Sequence, residues 1–177
     1  MSTNNWRIST FNGALLACYF IPTWALVAFQ IILSPIHGFY ERPNVAVALF
    51  ASDQLQLTGM AMVRLAWLLA LGKLMAVAFF AVFLVLAIRA VIRRSAGGGE
   101  ALAMALTIGS AISFASMVMA SKVGETAALR LHATELLMLL GTAIVMVFEA
   151  PAQPQAASAN AESEGLALQE PQLLDNR

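Results

Sequence analysis

The chain has 177 residues, 60% of them hydrophobic and 11% charged, with a mean hydropathy of +0.77. A soluble domain carries about 25% charged residues, so this composition belongs to the membrane class. Ten basic and ten acidic residues cancel, no basic run marks a nucleic-acid surface, and a lone cysteine, Cys18, excludes an intrachain disulfide.

In chain order, no charge occurs between Arg7 and Glu41, and residues 13–34 form the apolar centre of that interval. At about twenty residues it is too long for a signal-peptide core and long enough to span a bilayer. It is therefore expected to be an uncleaved first helix, with Pro22 a kink position and Pro35 a stop. Trp6, Phe39 and Tyr40 flank it as interfacial aromatics do. Residues 35–59 read as a long mixed loop. Within it residues 44–57 form an expected interfacial helix, with Val45, Leu49 and Phe50 on one side and Asp53, Gln54 and Gln56 on the rest. A second span is expected over 65–88 within a longer helix, with Lys73 inside it and Arg89, Arg93 and Arg94 at its far end. The triple glycine at 97–99 is a turn.

The third span, 101–121, carries no charge, and the fourth, 131–148, contains His132 and Glu135. Short connections make the second, third and fourth helices antiparallel neighbours. From residue 151 the composition shifts to Ala, Gln, Glu, Ser and Pro, so 151–177 is expected to be a disordered, acidic tail. The fold class is thus an all-α integral membrane protein: one domain over 1–150, a four-transmembrane-helix bundle, followed by a disordered C-terminal tail. Arg7, Arg89, Arg93 and Arg94 share one side, which places both termini in the cytoplasm, with a bacterial inner membrane as the expected location.

Lys73 and Glu135 are the residues that reach past architecture, because a charge at membrane depth is costly and needs a partner or a task. The second and fourth spans enter from the same face. Lys73 lies about eight residues and Glu135 about four residues into its span, a difference in depth of only ~6 Å at ~1.5 Å per residue. An intramembrane ion pair, direct or relayed by hydroxyls, is therefore allowed. Two other readings stand beside it. Lys73 and Arg89 lie about 24 Å apart along one helix and can snorkel to opposite interfaces. Alternatively, the charges form a functional site such as a proton relay or ligand contact.

His132 and Glu135, spaced i and i+3, share a helix face and with His37 form a possible ligand or proton site. A di-metal bundle site needs such pairs from two helices with further carboxylates, so no metal is expected. Haem or another pigment would need histidines facing each other in the core, and His37 and His132 fall near one interface, so no cofactor is expected either. The methionine pairs Met60/Met62 and Met117/Met119 point apart on a helix and cannot chelate copper. No nucleophile–base arrangement or phosphate-cradling loop occurs, which argues against an enzyme. Ala101, Ala105, Gly109 and Ser113 recur every four residues, with Ser116 and Ala120 continuing that side, a face for close helix packing.

The function these residues favour is that of a small non-catalytic integral membrane protein, an accessory or structural subunit of a larger complex. Membrane lipids and other membrane protein subunits are the expected partners, and nucleic acid is not. The alternative is a small transporter or proton-coupled permeation component, with Lys73, Glu135 and His132 lining its pathway.

Overall fold

The structure, a computed structural model, describes residues 8–93 and 98–149. Trp6, Arg7, Arg94, residue 97 of the glycine turn and the tail 151–177 lie outside the described residues. Six helices follow one another: α1 (Ile8–Leu33), α2 (Pro35–Phe39), α3 (Val45–Asp53), α4 (Gly59–Arg93), α5 (Gly99–Val123) and α6 (Thr126–Glu149). Four of them, α1, α4, α5 and α6, are long and apolar enough to cross a membrane. α4, α5 and α6 overrun their expected spans at both ends and α1 overruns its own at the start. Apolarity limits a span, whereas a helix continues for as long as its residues tolerate helical backbone, as Ala127 to Arg130 do before the apolar part of α6.

The long helices pack in a ring, α1 on α4, α4 on α5, α5 on α6 and α6 back on α1, which leaves α4 and α6 diagonal to each other. Gly124 sets the tight turn between α5 and α6. Its φ of +79° is a left-handed conformation that suits glycine, and its N–H and that of Glu125 both bond Ala120 O. The ring closes at the opposite end through Glu149, the last residue of α6. Its carboxylate accepts the N–H of Ile8 at 2.7 Å and of Ser9 at 3.0 Å, two of the donors that the start of α1 leaves without intrahelical partners. In the centre Phe20 stacks on Phe80, with ring centroids 5.6 Å apart and planes within 6°. Phe20 meets Trp24 edge to face at 4.9 Å.

The first connection departs from the expected loop. It contains α2 as well as α3, and α3 is packed into the bundle rather than laid along its surface. The buried side of α3 is Ala46, Val47, Ala48 and Ala51, while Val45, Leu49 and Phe50 are only half-buried. Small side chains decide this, because Ala46 fits against Ala120 of α5 and Ala128 of α6 where a larger residue has no room. α2 folds back as closely. A Cβ on Gly38 would stand 2.7 Å from Ile31 N and 2.8 Å from Gln30 C, both main-chain atoms of α1.

That contact generates a test. Gly38→Ala is expected to lift α2 off α1 and destabilise the protein by about 1–3 kcal/mol. Gly59→Ala, with nothing within 4 Å of its new methyl, is expected to be close to neutral. Thermal unfolding of the two variants in detergent, followed by circular dichroism, measures the difference.

Candidate functional site

A polar cluster lies in the apolar interior, assembled from all four long helices and the first connection. Lys73 is 2% exposed, His132 2% and Glu135 5%. Glu135, on the inner face of α6, is the centre. Its Oε1 accepts the indole N–H of Trp24 from α1 at 3.2 Å, and its Oε2 accepts the Ser113 hydroxyl of α5 at 3.4 Å. His132, one turn earlier on α6, places Nδ1 3.0 Å from the same Oε2.

Lys73 and Glu135 do not form a direct ion pair, because α4 and α6 are diagonal and Trp24 fills the space between them. Lys73 Nζ lies 5.6 Å from the centroid of the Trp24 ring, over its π face, while the edge of the same ring donates to Glu135. The indole thus links the two charges, with its electron-rich face toward the cation and its N–H toward the carboxyl. The ammonium also donates to Asn44 Oδ1 at 2.8 Å.

The other end of the cluster grips main chain. Asn44, 1% exposed just before α3, donates through Nδ2 to Gly38 O at 3.0 Å. His132 Nε2 stands 3.1 Å from Pro43 O. A carbonyl only accepts, so Nε2 carries a proton and donates it. The contact between Nδ1 and Oε2 then needs one further proton, either on the imidazole or on the carboxyl, since two bare lone pairs at 3.0 Å repel. His132 and Glu135 therefore hold one proton between them in addition to the Nε2 hydrogen. Lys73 through Asn44, and Glu135 through His132, tie the charges of the bundle to Pro43 and Asn44, the two residues that lead into α3.

The remaining expected site residues separate into two groups. Ala105, Gly109 and Ser113 are buried, as are Ser116 and Ala120, and Ala101 is half-buried. This face turns toward α6 and α1: a Cβ on Gly109 would sit 3.3 Å from Leu139 Cδ1 and 3.8 Å from the Trp24 ring. His37 does not join His132. It is exposed on α2 and makes no hydrogen bond to a described residue. Among the described residues no group of three or more His, Cys, Asp or Glu side chains converges as a metal site would require. Trp24 and Asn44 were not singled out from sequence. The signal for Trp24 was its place deep inside an apolar run, where an indole N–H has to find an acceptor. Asn44 offered only an amide beside a proline in a connection.

Two substitutions at one position test this arrangement. Glu135→Ala strands the Trp24 N–H and the His132–Ser113 side in a dry interior and is expected to cost about 3–5 kcal/mol. Glu135→Gln keeps an oxygen for Trp24 and turns an amide N–H toward a neutral His132 Nδ1, at an expected cost of about 1 kcal/mol. Equal losses in chemical unfolding would show that the carboxyl is not held as described. No protein-family model, no curated protein and no solved structure matches this chain.

Proposed function

We propose that this chain is an integral membrane protein whose four long helices cross the bilayer, and that it serves as a non-catalytic structural subunit of a larger membrane assembly. The observation that carries this reading is the self-sufficiency of the buried charges. Among the described residues no buried side-chain nitrogen or oxygen lacks a hydrogen-bond partner. Two grooves on the surface of the bundle both leave Lys73, His132 and Glu135 out of their walls. A cluster that satisfies itself and is closed to both grooves holds the first connection to the bundle; it does not present a reactive group.

The outer surface supports the membrane part of the proposal. Large apolar side chains such as Leu15, Leu26, Phe29, Val85, Leu137 and Phe148 are exposed on the outward faces of the long helices, far more than a soluble monomer leaves in water. Lipid and neighbouring subunits are the surroundings that remove this cost. The Glu149 contact brings the start of α1 and the end of α6 to one end of the bundle. Arg89 marks that same end on α4, which favours a cytoplasmic position for it.

A second reading has one observation in its favour, the 3.0 Å contact between His132 Nδ1 and Glu135 Oε2, which requires a proton between them. In a proton-coupled permeation component, Lys73, Glu135 and His132 would exchange that proton across the bilayer. Glu135→Gln separates the two readings in proteoliposomes. A permeation component loses proton flux while remaining folded; a structural subunit shows no such flux to lose.

Cys18 tests insertion directly. Its thiol is exposed about ten residues into α1, so it faces hydrocarbon if α1 spans. In sealed membranes it is expected to resist a water-soluble maleimide, even after permeabilisation, and to react fully once the protein is denatured in dodecyl sulfate. Rapid labelling in intact membranes would contradict a spanning α1. Sizing the solubilised chain from its native membrane tests the subunit role, for which an assembly of fixed stoichiometry is expected and a monodisperse monomer is the contrary result.

A further inference from the structure

A groove of about 760 Å³ runs down the outside of the bundle between the end of α1 and the first half of α4. Ile32 forms one wall, Leu68, Leu71 and Leu74 line the other with Trp67 beside them, and Arg64 stands at its outer rim. The walls are apolar, Arg64 lending them mainly the alkyl stem that carries its guanidinium, and none of the lining residues is acidic. Arg64 is exposed and forms no hydrogen bond or ion pair with a described residue. Its charge is thus available to something outside the chain.

The dimensions select the occupant. Arg64 and Arg89, both exposed on α4, are separated by about 37 Å of helix, between the ~30 Å of hydrocarbon and the ~40–45 Å that includes the headgroups. In a spanning α4 both guanidiniums would therefore stand at headgroup level, on opposite faces. From Arg64 to Leu74 the helix rises about 15 Å, half of the hydrocarbon thickness. The groove is one leaflet deep, with a free cation where a phosphate would lie and a continuous apolar wall beneath it. An ammonium-bearing headgroup would want a carboxylate beside it, and the wall provides none.

We propose that this groove is a binding site for one anionic phospholipid, its phosphate on Arg64 and one acyl chain along Trp67, Leu71 and Leu74. The site rests on the reading of the chain as membrane-spanning. A guanidinium forks onto phosphate oxygens, and the exposed Trp67 ring, 56% accessible, covers the upper part of the chain. Another groove, between α4 and α5 with Val47 of α3 in its wall, has no charged residue lining it and lacks this complement.

Trp67 reports on its own occupant, because brominated acyl chains quench indole fluorescence on contact. The full chain is reconstituted in phosphatidylcholine vesicles containing equal fractions of dibrominated phosphatidylglycerol or dibrominated phosphatidylcholine. The contribution of Trp67 is the difference between the parent and Trp67→Phe. The expected result is an effective preference of about fivefold for phosphatidylglycerol, the value of one cation–headgroup contact. Arg64→Gln should abolish that preference and Arg64→Lys retain most of it. Equal quenching by the two lipids, quenching by neither because a protein helix covers the groove, or a preference that survives Arg64→Gln would each overturn the site. Flotation of the same vesicles distinguishes the underlying failure. A chain that does not float with lipid defeats the membrane reading and the site together, whereas one that floats without lipid preference defeats the site alone.

Discussion

The carboxyl group of Glu135 is the constraint on which the rest of the bundle depends. Apolar packing is non-directional, and helices that touch only through leucine and alanine can turn about their axes at little cost. A buried carboxyl cannot be satisfied that way. It takes donors from Trp24 on α1 and Ser113 on α5 and shares a hydrogen bond with His132 on its own helix, so the rotation of three helices about a single point is determined together. α4 enters through Lys73, whose ammonium lies on the far face of the same indole. The small residues of α5 make this possible, since Gly109 lets Trp24 and Leu139 approach where a side chain would hold them apart. Directional bonding and close approach are two requirements of one site.

Much of this was legible in the chain, and what was not has a definite cause. The long helices announce themselves through unbroken apolar length, and Lys73, His132 and Glu135 stand out because charge is rare in such runs. The packing stripe from Ala101 to Ser113 is visible because its period is that of a helix face. What sequence could not supply was the identity of the neighbours. Depth along parallel helices puts Lys73 level with Glu135, but whether the helices are adjacent or diagonal depends on how the ring closes, and Trp24 takes the space between them. A tryptophan counts as apolar in any composition, which concealed its role as a donor. The first connection was hardest to read. α3 has no amphipathic pattern, because its buried side is made of alanines that match alanines elsewhere, and such complementarity leaves no trace in periodicity.

The two ends of the bundle are built differently. At one end α2, α3 and the cluster beneath them form a thick polar and apolar plug, held by Asn44 and by the carbonyls of Gly38 and Pro43. At the other, the described contact between first and last helices is the Glu149 carboxylate on the opening N–H groups of α1. Among the described residues, movement of the helices relative to one another is therefore resisted by directional bonds to the connection at the first end and to the start of α1 at the second. On the apolar outer surface, Arg64 is a point where charge meets a groove.

The cluster also imposes an order in time. α1 is synthesised first, yet the acceptor for its Trp24 N–H is Glu135, and the acceptor for its first N–H groups is Glu149, 111 and 140–141 residues further along the chain. Until α6 has left the ribosome, these polar groups of the first helix are unanswered. A chain that stops short of α6 has no internal means of hiding that deficit. Its opening helix would thus stay distinguishable from that of a finished protein by what it still lacks.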